Sequence, residues 1–402
     1  MKKCISLGVI DKTQLLLQII PITVIVFGNI IYYNDDNNEI SFYNHVFAMM
    51  VSKSIGKCLS FIPFIIFCIR NKDSKNQNLI ANNEAKYSNE YFKKFERIKI
   101  SKFLLIFISS LFYFLNNIID YLVTNAYPID IIIFDIICLT FLSYLVMDIK
   151  IYIHQYFSIF VILIVGIIKN IINFNSPELK MDWIKILISF LLELIFTATI
   201  LLQKFIMEYR FCTPYELCFY DGIFSLIFSI IGYIIVTNKE ISPKKENDEG
   251  YFVRYNNKYY IDNFYEYFGK FVGDMREVYT FLYQIAYHSI YFLFPLIVIK
   301  KYTVFHYLII VIFNDFYSFD FNTEKVEIAL LNMSCLLIII FMHLIFNELI
   351  EMNCFGFQNN TRRNITQRAI DDASKKNRND TITLSISSLD SLGLDDYKVS
   401  IN

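Results

Sequence analysis

Tryptophan occurs once in this chain of 402 residues, which leaves tyrosine to supply most of any aromatic belt at a membrane–water boundary. Sequence signatures of catalysis are missing: there is no GxSxG, no HExxH, no Walker lysine and no paired-carboxylate motif. No catalytic residue is therefore expected, and the chain reads as a non-enzyme. The eight cysteines are dispersed, with no CxxC and no histidine at metal-ligand spacing. That excludes a disulfide framework and a zinc site, and leaves the cysteines as small packing residues. The net charge of −1 averages a basic loop against acidic segments and says nothing about partners; nucleic-acid binding has no support. Lys2 and Lys3 precede the first apolar run, but no small-residue cleavage site follows it, so a retained helix is expected rather than a removed signal.

What is abundant is apolar surface. Hydrophobic residues make up 55 % of the chain and mean hydropathy is +0.42, beyond the range of a soluble domain. The 40 Phe and 29 Tyr match a compositional bias that also enriches Ile, Asn and Lys, so a lone aromatic carries no functional signal. An all-α integral membrane protein is expected, with ten spans near 14–32, 44–69, 102–124, 130–148, 154–173, 182–206, 213–236, 277–299, 302–317 and 327–349. Residues 1–351 form one membrane domain, and 352–402 form a cytosolic tail, basic at first and then disordered. Loop 70–101 holds a run of Lys and Arg, whereas the first and third loops hold none, so both termini face the cytosol. Loop 237–276 dissents, with basic residues balanced by acids. The tail carries sequons at Asn359, Asn364 and Asn379, and the outward loops carry none, so no N-glycosylation is expected. Five spans per half, with long loops at equivalent places, predict two inverted repeats, 14–173 and 182–349.

Polar residues inside the spans mark the candidate site, because lipid cannot satisfy them. In the second span Lys53, Gly56, Lys57 and Ser60 share a face. Two readings stand: a cationic wall for an anionic substrate, or a span that begins later with both lysines snorkelling outward. The third span groups Asn116, Asn117 and Asp120, and the fourth holds Asp135. His154, in the short turn before the fifth span, reads as a solvated loop histidine or a proton relay. Glu193, Thr197 and Lys204 line one face of the sixth span, and Tyr220, Asp221 and Gly222 interrupt the seventh. In the eighth span Thr280, Tyr283, Gln284, Tyr287, His288 and Tyr291 form a polar face, which fits either a cavity wall or a hydrogen-bonded helix interface.

The ten-span layout, the joint LSYLVMDIKIYIHQYFSIFVILIVGII (142–168) and the stretch ATILLQKFIMEYRFCTPYELCFYDG (198–222) resemble the drug/metabolite transporter superfamily, nucleotide-sugar-transporter-like (EamA-like) branch. The resemblance covers about residues 14–350. It implies a secondary transporter working by alternating access, with a cavity lined by the first, third, fourth, sixth, eighth and ninth spans. Phe219, Tyr220, Asp221 and Gly222 stand where GDP-sugar carriers of that branch have F-Y-N-N, so both asparagines are replaced. The branch's G-A-L-N-K motif has no counterpart in the eighth span, and loop 237–276 lacks the cysteines of chloroquine-resistance-type relatives.

The expected substrate is a small polar metabolite, with a nucleotide sugar or related anion leading. Lys53, Lys57 and Lys204 would meet negative charge. Tyr220, Tyr283 and Tyr287 would hold planar or sugar groups, and Asp120, Glu193 and Asp221 would bind hydroxyls or a coupling proton. Asn116, Asn117, Thr197, Gln284 and His288 complete the expected site. Amino acids or amines are the alternative cargo, and a membrane scaffold or receptor acting through its tail is the non-transporting alternative. No cofactor and no metal are expected; the partners are the substrate and the bilayer, with homodimerisation open and an endomembrane (Golgi/ER or vacuolar) location.

Overall fold

The computed structural model describes residues 5–7, 46–71, 100–124, 132–147, 151–174, 183–236, 240–241, 253–255, 258–260, 264–273, 275–301, 304–317 and 326–352. The expected first span, most of basic loop 70–101 and the tail after residue 352 lie outside the described residues. The described chain is almost entirely helical: α1 (Val46–Cys58), α2 (Phe61–Asn71), α3 (Lys102–Thr124), α4 (Ile132–Met147), α5 (Ile153–Phe174), α6 (Trp183–Tyr209), α7 (Pro214–Val236), α8 (Phe264–Gly273), α9 (Met275–Lys301), α10 (Val304–Tyr317) and α11 (Val326–Phe346). Among the described residues, six helical segments are long and apolar enough to cross a bilayer: 47–69, 102–119, 153–171, 190–208, 214–235 and 277–301. Shorter apolar helices occupy 135–146 and 330–346. The chain is a multi-pass membrane protein by these segments.

Helix ends follow local chemistry. α1 and α2 together match the expected second span but are broken at Leu59–Ser60. Pro63 explains the break, since its ring would collide with the Leu59 carbonyl of a continuous helix and it has no N–H to donate. The chain tightens there, with the Ser60 N–H donating to the Lys57 carbonyl at 3.1 Å. Thr213 caps α7 by accepting the Glu216 N–H at 3.1 Å, and Pro214 fills the first helical position, where a missing N–H costs nothing. α11 ends in a Schellman turn: the Leu349 N–H donates to Leu344 and the Glu348 N–H to Ile345, with Glu348 at φ 58° where glycine is usual.

Small pairings tie distant segments. Ile5–Leu7 (β1) pairs antiparallel with Ile350–Met352 (β5), and Glu240–Ile241 (β2), Val253–Tyr255 (β3) and Lys258–Tyr260 (β4) form a three-stranded sheet in order β2-β4-β3. The principal packing partners are α1 with α7 and α9, α3 with α6 and α7, α4 with α6, and α5 with α11. The main core cluster runs from Ile106 of α3 through Ile136 and Leu139 of α4 and Ile200 and Ile206 of α6 to Leu308 of α10 and Leu336 of α11. Tyr156, Phe160, Ile164, Ile167 and Ile171 of α5 recur every three or four residues on an exposed apolar stripe, the face a membrane helix gives to lipid. Among the described cysteines, Cys138, Cys212, Cys218 and Cys335 are buried thiols within this packing.

Candidate functional site

α1 runs between α7 and α9 at very short range. A Cβ placed on Gly222 of α7 would lie 2.8 Å from the Cys58 nitrogen and 2.9 Å from the Lys57 Cβ. One placed on Gly56 would lie 2.8 Å from the Ile285 carbonyl oxygen of α9 and 3.0 Å from the His288 Cβ. Glycine is thus required on both sides of the same helical turn. Gly56 and Ser60, on one face by spacing, meet different helices: Gly56 meets α9, whereas the Ser60 hydroxyl donates to the Tyr215 carbonyl of α7 at 3.2 Å.

This close approach buries a charge pair. Lys57 Nζ donates to Asp221 Oδ2 at 2.6 Å, with side chains 3 % and 5 % exposed. The Ser110 hydroxyl of α3 donates to Asp221 Oδ1, also at 2.6 Å. Lys57 Nζ lies 3.6 Å from the centroid of the Tyr113 ring and 4.5 Å from that of Phe292, and the two rings meet edge to face at 5.6 Å. An ammonium at the centre of a membrane helix costs about 2.5–3.5 kcal/mol on insertion scales, which explains why one carboxylate and two ring faces surround it. The snorkelling reading is thereby removed for Lys57. Lys53, a turn earlier, has its Nζ 3.5 Å from Asn117 Oδ1, and the Asn117 amide donates to the Tyr113 carbonyl at 2.7 Å. Asn116 Oδ1 is buried and has no hydrogen-bond partner among the described residues. The Asp120 side chain lies outside the described residues.

A second polar centre lies between α4, α6 and α10. Asp135 of α4, 6 % exposed, shares a side-chain hydrogen bond with Glu193 of α6. Tyr307 of α10 is close enough to interact electrostatically with both carboxyls, and likewise with Tyr291 of α9 and Tyr113 of α3. Tyr113 also faces the Lys57 ammonium.

The remaining expected residues divide by role. Thr197 is fully buried, and its hydroxyl donates to the Glu193 carbonyl of its own helix at 2.7 Å. Lys204 pairs with Glu208 one turn on, at 2.6 Å, and donates to the Ile299 carbonyl at 2.7 Å, capping the C-terminal end of α9. Tyr220 packs edge to face on Phe103 at 5.0 Å. On α9, Tyr283, Tyr287 and Tyr291 stack in sequence with centroids 6.3 and 5.6 Å apart. Gln284 and His288 are buried, and His288 stands where Gly56 lets α1 approach. The eighth-span face is a helix interface at His288, with a half-buried tyrosine ladder beside it. His154 is no solvated loop residue: it is 3 % exposed, opens α5 and lies 3.3 Å from Glu348 at the end of α11.

Sequence reasoning did not place Ser110, Tyr113, Tyr307 or Asp135 in the site. Asp135 carried a signal, an acid inside an apolar run; the other three are ordinary membrane-helix residues until their neighbours are known. No family model matches the chain, and no curated protein matches it.

Proposed function

We propose that the protein is a secondary transporter of a small polar metabolite, working by alternating access between two five-span halves. The observation that carries the proposal is the pair of polar centres inside an otherwise apolar helical bundle, since ionisable groups within spans are expensive and mark substrate or ion pathways. Support for two inverted halves comes from helix pairing. Advancing each span by five converts the α3–α7 contact into α9–α1 and the α4–α5 contact into α10–α11, while α1–α7, α4–α10 and α5–α11 map onto themselves. Strand β1 precedes every span and β5 follows the last; their pairing implies an even number of crossings between them. An even number is met in the proposed arrangement if the apolar run 14–32 crosses ahead of α1, which would make ten spans in two halves. With the basic loop 70–101 on the inside, both termini would be cytosolic, and an endomembrane is the location proposed with the carrier reading.

A nucleotide sugar or related anion is the substrate class that follows from the family resemblance. The charges favour a second class, a cationic amine or amino acid. Lys57 is neutralised by Asp221 and Lys204 by Glu208, whereas Asp135 and Glu193 face each other as two acids. A thermal-shift screen of nucleotide sugars against organic amines separates them. A ligand present at 100 times its Kd adds about 2.7 kcal/mol to the folded state. Stabilisation by neither class, with unfolding that stays cooperative, would remove both readings in favour of a scaffold acting through residues 354–402.

A further inference from the structure

We infer that Asp135 and Glu193 bind one exchangeable proton between them and that this proton is the coupling ion of transport. The inference rests on the carrier reading and names its driving ion.

The chemistry starts from the hydrogen bond between the two side chains. A carboxylate is only an acceptor, so a bond between two carboxyls needs one proton. Asp135 lies in the first turn of α4, where free backbone N–H groups favour negative charge, and Glu193 lies mid-helix in α6. The arrangement therefore calls for one proton shared between the Glu193 and Asp135 carboxyls. With one proton the pair carries one negative charge. Release to the open side leaves two like charges side by side, a state the buried site tolerates only while water or a cationic cargo is present.

More than acidity marks the site. Asp135 is over nine-tenths buried, and its Oδ1, on the carboxyl aimed at Glu193, has no hydrogen-bond partner among the described residues. That atom is an acceptor ready for a second proton, a water or an ammonium. The groups facing the pair come from every side: Glu193 from α6, Tyr307 from α10, and Cys138 one turn further along α4. Beyond Tyr307 come Tyr291 of α9 and Tyr113 of α3, and Tyr113 faces Lys57. Phenol hydroxyls both donate and accept, so Tyr307 can follow a change in the pair's charge by reorienting its proton. α4 and α10 occupy equivalent positions in the two proposed halves and touch each other, so the proton would sit where those halves meet.

The test uses the full chain reconstituted without substrate, and infrared difference spectra recorded as pH is raised and lowered. The expected result is a protonated-carboxyl C=O band that titrates reversibly in the wild type and is lost or displaced in both Asp135→Asn and Glu193→Gln. Should one variant fail to fold, the other decides. Spectra of a folded variant that overlay the wild type would overturn the inference. Trans-stimulated exchange of labelled nucleotide sugars and organic amines, at equal pH on both faces, is measured beside it. Exchange needs no proton gradient, so its absence alongside a titrating band overturns the carrier reading and the coupling role, while the proton site stands. Exchange with no such band overturns the proton inference alone.

Discussion

The two polar centres solve the same problem in opposite ways. Between α1, α3, α7 and α9, Lys57 is met by Asp221, Tyr113 and Phe292, Ser110 donates to Asp221, and glycines on both neighbouring faces let the backbones approach closely. Between α4, α6 and α10, two acids face each other beside a tyrosine. The first centre is compensated, as a structural tie in an apolar medium must be. The second sets two acids side by side, the feature on which the proposed ion site rests. Burial alone does not separate a lock from a site; the charge balance of what surrounds each group does.

The largest effect that separates them is on stability. Asp221→Asn leaves Lys57 buried without its counter-charge and should cost about 3–5 kcal/mol, read as a drop in thermal midpoint in detergent. The double change Lys57→Met with Asp221→Leu should recover most of that loss. If the double variant were no more stable than the single, the pair would not be a lock. Next comes Gly222→Ala, whose added methyl has backbone at 2.8 Å; the expected loss is about 1–3 kcal/mol with α1 displaced from α7, detectable by cross-linking across that contact. Glu193→Gln keeps a hydrogen-bonding group at the second centre and should change stability by only about 1 kcal/mol, while abolishing the stabilisation given by a bound ligand. Equal stability losses in Asp221→Asn and Glu193→Gln would erase the distinction. The smallest effect is expected outside both centres. Glu348→Gly relieves a left-handed backbone, a gain of about 1 kcal/mol set against the loss of the carboxylate beside His154, and a modest rise in midpoint is the expected result.

Much of the helical layout is legible in the chain because span length and apolar run length are the same physical quantity. The joint at Arg210–Thr213 overlaps the gap expected between the spans at 182–206 and 213–236, and the eighth-span tyrosines stack along one face. The break at Leu59–Ser60 was written in Pro63 but hidden by the apolar run around it. What the chain could not disclose is pairing. Lys57 and Asp221 are 164 positions apart, and periodicity within one helix says nothing about which helix lies opposite. For the same reason Lys57 and Lys204 read as positive walls when each has an acid beside it, and Asp135 reads as a lone acid when its partner is Glu193. His154 looked solvated because the loop around it is short and polar; the end of α11, far away in sequence, covers it.

The carrier claim is tested most directly by trans-stimulated uptake in proteoliposomes holding the purified full chain, with nucleotide sugars and organic amines as labelled solutes. The account predicts that unlabelled solute of one class inside the vesicles accelerates entry of the labelled solute, and that Glu193→Gln and Tyr287→Ala, each with a wild-type thermal midpoint, lose that acceleration. Vesicles whose protein unfolds cooperatively at its normal midpoint, yet exchange neither class, would contradict it.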